Sequence, residues 1–188
     1  MGLTGMEDEE LHMFVDTETT GLGHRDRPPR TDGIVQIAFA WRDSGRRVKR
    51  QSWFCNPGKK MLADNRAAEA FSKSNLKMED IQSAPPARKV ATEVRRFLKE
   101  TVDSRAIFHA YHLAFDQPFL EASPWRLKLN WGADVMIMAS KYLGYSYDRL
   151  ALEKALTRLG LDRLVKGPLH RANSDAYAAL LVWEEINK

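Results

Sequence analysis

Three short runs dense in apolar, β-branched and aromatic residues crowd the start of this chain: Leu11–Asp16 (LHMFVD), Ile34–Trp41 (IVQIAFAW) and Val48–Cys55 (VKRQSWFC). Each has the length and composition of a strand. The first two are separated by Gly21–Gly33 (GLGHRDRPPRTDG), a Gly-, Pro- and Arg-rich loop, and the next two by Asp43-Ser44-Gly45. Neither connection can carry a crossover helix, so the three strands are expected to form an antiparallel meander. The first is expected to end at Asp16. From Leu62 the pattern turns helical, with helices expected over 63–71, 75–81, 87–100, 114–122, 135–143, 150–159 and 174–186 and one more strand over 105–110. On the 87–100 segment Val90, Val94, Phe97 and Leu98 share one face. Strands first, then strand and helix alternating, predicts an α/β fold with helices packed on a mixed sheet. Nothing repeats internally, and Pro85-Pro86 is too short for a linker, so one domain is expected over 11–188, after a disordered lead or cloning remnant over 1–10.

Composition narrows the function classes. A hydrophobic share of 44% over 188 residues suits a folded domain. The single cysteine, Cys55, excludes an internal disulfide framework and a thiolate zinc cluster; beside Trp53 and Phe54 it reads as a small core residue. No run of about 18 apolar residues exists, and MGLTGMEDEE is neither a basic-then-apolar leader nor a myristoylation signal. A soluble, intracellular protein is expected. The net charge of +4 suits a polyanionic partner without requiring one.

Candidate chemistry lies with the acids. Asp16-Thr17-Glu18 places two carboxylates at i and i+2, on the same side of a strand. Their repulsion is unfavourable unless a cation offsets it, and Mg²⁺ and Mn²⁺ prefer such oxygen donors. Alone, the pair also reads as two solvated acids at a strand end. Here, however, Thr19-Thr20-Gly21 follows at once, at the carboxyl end of a strand, where open sheets place ligands. A further acid, Asp116, follows the 105–110 strand amid Phe115, Phe119 and Leu120, where a charge needs a partner or a metal; a helix N-terminal Asp is its plainer reading. In the last third, Pro168 and Asn173-Ser174 mark a loop and a helix start, with His170 in the loop and Asp175 in the first turn. An imidazole beside metal-held carboxylates can take a proton from water near pH 7. By itself this pair also reads as a surface histidine and a capping acid.

In order, F-V-D-T-E-T-T-G, F-D-x-x-F-L and H-R-A-x-x-D-A resemble the DEDDh (DnaQ-like) 3′–5′ exonucleases from Phe14 to about Ala178. The H-x4-D ending belongs to the histidine branch rather than the sister branch with Tyr at Y-x3-D, and Ile34–Ala38 resembles the family's second strand. The resemblance implies a ribonuclease-H-like fold, a five-stranded mixed sheet flanked by helices. It also implies two divalent cations, Mg²⁺ or Mn²⁺, held by Asp16, Glu18, Asp116 and Asp175, with His170 as general base for water. Two ions about 3.5–4 Å apart would clamp the attacking and leaving oxygens, and the product would be a nucleoside 5′-monophosphate.

The same resemblance assigns Thr19, Gly21 and Leu22 to the terminal nucleotide, by backbone contact and an apolar wedge. Gly21 has a physical reason too, since a missing Cβ lets backbone approach a ligand. Phe115 is expected to pack on sugar or base, with a core position the equal alternative. One departure is local: Ala110–Asp116 reads A-Y-H-L-A-F-D where the family often reads A-H-N-A-x-F-D, so Tyr111 and His112 replace a His-Asn pair that shapes the terminal-nucleotide pocket. His112 is carried as a substrate contact. Arg25, Arg27 and Arg30, on the loop after the first motif, are candidates for tracking phosphates. Arg46, Arg47, Lys49 and Arg50 form a second basic cluster that reads equally as a solvated face, and Trp125 and Trp131 read as core. The 3′ end of single-stranded DNA is the favoured partner. RNA is the enzyme rival, and a non-catalytic nucleic-acid-binding subunit of a replication or repair complex is the alternative from another class. No membrane is expected, and no polymerase or repair partner is indicated.

Overall fold

The computed structural model describes residues 10–22, 32–63, 65–74, 76–103, 105–146 and 149–188, except for the side chains of 65 and 66. The expected lead, apart from its last residue, and the loop arginines Arg25, Arg27 and Arg30 lie outside the described residues.

The sheet is built from β1 (His12–Thr19), β2 (Ile34–Arg42), β3 (Val48–Phe54) and β4 (Ile107–His109). Its order is β3-β2-β1-β4, with β1, β2 and β3 antiparallel as the short connections require and β4 parallel to β1. Four strands rather than the expected five are present among the described residues. Trp131 makes only a single parallel bridge to Phe108. Strand β1 also runs past Asp16 to Thr19, with an irregularity between Glu18 and Thr19, because β2 goes on pairing with it through Gln36. Both acids of the D-x-E pair therefore sit inside the strand.

Among the described residues eight α-helices accompany the sheet: α1 (Lys59–Leu62), α2 (Asn65–Ser74), α3 (Met78–Ser83), α4 (Ala87–Thr101), α5 (Leu113–Glu121), α6 (Val135–Tyr142), α7 (Leu152–Leu159) and α8 (Ala172–Ile186). Helix α1 was not expected, and α2 and α3 lie a few residues C-terminal to the expected segments. None of the described helices is long and apolar enough to cross a membrane.

Strand β2 is buried almost end to end, as a central strand covered on both faces must be. On one face Phe14, Ala38 and Ala40 meet Ala176, Ala179 and Leu180 of α8, with α6 and α7 behind. Small side chains on both sides let α8 lie close on the sheet, which fixes the height of Asp175 above it. On the other face Met13, Val15, Ile37 and Phe39 pack on Val90, Ala91 and Val94 of α4 and on Phe119 and Leu120 of α5. Each such large apolar side chain contributes about 1.5–3 kcal/mol by leaving water. Cys55 is buried in this second core, as its neighbours predicted. Val35, Leu62, Phe71, Leu76 and Ile81 form a smaller cluster that attaches α2 beside the C-terminal end of β1.

Candidate active site

Alternation along β1 sends Asp16 and Glu18 to one side and Thr17 to the other. Their β2 partners in register are Ala38 and Gln36. Gln36 is buried, and its side-chain oxygen accepts a hydrogen bond from the Ala172 backbone N–H at 3.2 Å. That bond pins the start of α8 over β2, and Asp175 follows one turn later. Oxygens of Asp16, Glu18 and Asp175 all lie within 4.8 Å of one another.

Asp116 enters from α5 and is only 2% exposed. Its Oδ1 accepts from the Thr17 backbone N–H at 3.0 Å and from the Thr17 hydroxyl at 2.7 Å. Helix α5 is itself set by Asp134, whose Oδ2 accepts from Leu113 N–H at 2.8 Å while its Oδ1 caps α6 through Ile137 N–H at 3.1 Å. Thr17 and Asp134 thus orient an acid that the sequence reading named without naming its supports. Thr17 was legible as the outward residue of D-T-E; Asp134 lies too far along the chain for any local pattern to connect it.

Burial raises the pKa of all four acids, and neighbouring acids add to it for Asp16, Glu18 and Asp116. Burial, then Asp116, Asp175 and Glu18, hold Asp16 well above the usual carboxylate range. Burial and the charges of Asp175 and Asp116 push Glu18 up to about 8, against the opposing pull of Arg171. Asp116 is pushed up to about 7 mainly by burial, although the two Thr17 hydrogen bonds pull it down. Burial raises Asp175 to about 6, opposed by the hydrogen bond that its Oδ2 accepts from His170 N–H at 3.1 Å. The other oxygen, Asp175 Oδ1, is buried and has no hydrogen-bond partner. An all-oxygen donor set, mutual repulsion and one orphaned buried oxygen together fit a hard divalent cation.

His170 is exposed and holds a left-handed backbone conformation, with φ of 62°. Such a conformation is uncommon outside glycine and tends to mark functional positions. The ring lies on the rim of a cleft of about 410 Å³ lined by Thr17, Glu18, Thr19, Leu22 and Phe115, and on the far side by α2. Leu22, three residues past the end of β1, is 87% exposed and lines the same cleft. The Thr19 hydroxyl donates to the Gly21 carbonyl at 2.6 Å, shaping the turn. Gly21 lines the cleft, but a Cβ there would also come within 2.6 Å of Asp32 Oδ1. An internal neighbour, not only a ligand, accounts for that glycine.

The two unusual residues ahead of Asp116 diverge. Tyr111 is buried in the α8-side core and donates its hydroxyl to the Leu150 carbonyl at 2.7 Å. His112 is exposed at the start of α5, with its ring parallel to Phe115 at 6.1 Å. Sequence reading missed the α2 wall, Glu69, Ala70, Lys73 and Ser74. An ordinary amphipathic helix gives no local sign that its polar face looks into a cleft. Of the two tryptophans, Trp125 is buried as expected, while Trp131 is half-buried and packs beside the second core.

The fold is shared with known nucleases. The cell-death related nuclease CRN-4 superposes with a TM-score of 0.70 at 14% identity, over 95% of this chain and 64% of that one. E. coli Exonuclease I in complex with a dT13 oligonucleotide gives 0.70 at 17% identity, over 96% of this chain and 41% of that one. The nuclease domain of 3′hExo, a DEDDh family member bound to rAMP, gives 0.69 at 12% identity, over 93% and 90%. This chain thus spans about two thirds of CRN-4 and less than half of Exonuclease I. No curated protein sequence matches it. The model of the exonuclease family RNase_T matches residues 13–183, nearly the whole chain. The chain therefore belongs to that family, the DEDDh 3′–5′ exonucleases of the ribonuclease-H-like superfamily, which work with divalent metal ions.

Proposed function

We propose that this protein removes nucleotides one at a time from the 3′ end of single-stranded DNA, releasing nucleoside 5′-monophosphates. The observation that carries this reading is the convergence of Asp16, Glu18 and the buried Asp175, whose Oδ1 is orphaned, with the buried Asp116 bonded to Thr17 between the first two, beside a cleft rimmed by an exposed histidine. Asp16, Glu18, Asp116 and Asp175 would hold two ions, Mg²⁺ or Mn²⁺. Bound there, such ions neutralise charge on the scissile phosphate and make water a stronger acid.

The remaining steps belong to the chain's own residues. His170, exposed on the rim, takes the proton of the attacking water at its imidazole, and the Asp175–His170 backbone bond keeps the ring's segment beside the acids. Leu22 and Phe115, which both line the cleft, clamp the terminal sugar and base by apolar contact. Thr19 and Gly21 shape the turn against which that nucleotide rests. His112 extends the Phe115 surface on the outer side. The volume of about 410 Å³ suits one nucleotide rather than a paired end.

RNA is the second reading, and two relatives favour it: 3′hExo is seen bound to rAMP, and a 3′-exonuclease of the same fold recognises the 3′ end of a histone mRNA stem-loop. The 2′-hydroxyl is the only group separating the two substrates at this site. The deciding experiment gives the protein DNA and RNA of equal sequence, labelled at the 5′ end, with Mg²⁺, Mn²⁺ or EDTA. A DNA ladder shortening from the 3′ end, with no ladder in EDTA, is expected. Equal or faster loss of RNA moves the substrate to RNA; no cleavage of either with both metals overturns the reading.

A further inference from the structure

The acids and the substrate are both negative, yet the cleft carries one lysine among its described lining residues. Lys73 lies on α2 and lines the same cleft as Glu18 and His170. Its ammonium donates to Glu69 Oε1 at 2.8 Å, an i,i+4 pair with side chains 70% and 68% exposed. An ion pair this exposed contributes little to folding. Its place inside the cleft wall therefore calls for another explanation.

We propose that Lys73 binds the first phosphodiester upstream of the scissile bond, and that Glu69 holds the ammonium until that phosphate displaces it. This rests on the exonuclease reading above. The terminal nucleotide of a 3′ end brings only one phosphate, the scissile one, and that group faces the metal-binding acids. The next negative charge along the strand is the neighbouring phosphodiester. Among the described cleft residues, Lys73 is the permanently charged cation able to meet it. In the free protein the Glu69–Lys73 pair is neutral overall and adds no attraction. Exchanging a carboxylate for a phosphate on one ammonium loses little, because the pair is solvated. The exchange makes tight binding conditional on at least two linked nucleotides, so Lys73 distinguishes a strand from a mononucleotide.

The test uses the full chain, with wild type, Lys73→Ala, Lys73→Arg and Glu69→Gln. Two substrates are compared: a short single-stranded oligonucleotide, and thymidine 5′-monophosphate p-nitrophenyl ester, which carries only the scissile phosphate. For Lys73→Ala we expect the ratio of kcat/KM on the oligonucleotide to that on the ester to fall about tenfold, through KM. The salt slope of oligonucleotide binding should drop by about one. Lys73→Arg should restore most of the ratio, and Glu69→Gln should lower the oligonucleotide KM. Equal losses on both substrates would put Lys73 at the scissile phosphate and overturn the proposal, as would an unchanged ratio. If wild type turns over neither substrate, the exonuclease reading falls and this inference falls with it. If wild type turns over both, the reading stands whatever Lys73 does.

Discussion

One face of β1 carries polar residues at both of its ends, and the two ends meet opposite fates. At the N-terminal end of β1, His12 lies 3.0 Å from His109 Nε2, and the His109 Nδ1 lies 3.1 Å from the Ala133 carbonyl. A carbonyl only accepts, so His109 carries its proton on Nδ1 and accepts on Nε2 from His12 Nδ1–H. Phe14 and Trp183 pack their rings against the pair, and Gly132 leaves the His109 ring its room. Nearby, Arg42 and Glu184 form a two-point ion pair. Four and six residues further along, Asp16 and Glu18 meet Asp116 and Asp175, with Arg171 alone opposing them at Glu18. The first end satisfies its polar groups within the protein, whereas the second needs something from outside. That unmet requirement is what marks a site, and it is more informative than the presence of polar residues in the core.

The sharpest way to break the comparison is to remove the unmet charge. Asp16→Asn should abolish nuclease activity while raising the melting temperature of metal-free protein above pH 7, because it relieves repulsion. A Tm that falls instead would mean that the acids are satisfied internally. Next in size, His170→Ala should lower kcat by about 10²–10⁴-fold while Mn²⁺ still raises its Tm as in wild type. Near-normal turnover would remove the general-base role.

Titration separates the ends in sign. The acids have folded pKa values raised to about 6, 7 and 8 for Asp175, Asp116 and Glu18, from unfolded values of 3.8 to 4.5. The folded form therefore holds more protons, and stability present below about pH 4 is lost as the pH rises through 6 to 8. His12 and His109 are both lowered from 6.5, chiefly by burial. Their contribution is full above that value and is lost as the pH falls below it. In EDTA the Tm should fall from about pH 6 to about pH 8.5, and saturating Mn²⁺ should flatten this limb. An unchanged alkaline limb with Mn²⁺ would mean that these acids do not hold the ion.

His109→Ala should cost about 2–4 kcal/mol by denaturant melting, with kcat within about threefold of wild type. A loss of turnover on the scale of His170→Ala would show that the two ends are not independent. The smallest effect is expected from Thr17→Val. Losing one hydroxyl donor to Asp116 should lower kcat/KM about tenfold, in line with a charge-assisted hydrogen bond.

Local pattern went far here. The meander followed from loops too short to cross over, and the four acids with His170 were named from three separate motifs. The amphipathic face of the 87–100 helix was also visible, and Val90 and Val94 are fully buried. Other features escaped because their causes are non-local. Strand β1 outran Asp16 because β2 supplied partners as far as Ile34, which no window on β1 contains. That Asp32 also crowds Gly21 could not be read locally, nor that the hydroxyl of Tyr111 is bound to Leu150 in the core.

By itself the sequence determined which residues carry charge and which side of a strand or helix each one takes, because period and side-chain chemistry are properties of the local chain. Only the tertiary structure decided that four acids from β1, α5 and α8 share one desolvated space, that Thr17 and Asp134 hold the third acid in place, and that Lys73 of α2 lines the same cleft as Glu18. Those relations depend on how closely the small residues of α8 let it approach the sheet, and on where the Val35 cluster docks α2. Packing between distant segments sets both, and it also sets how strongly each acid is desolvated.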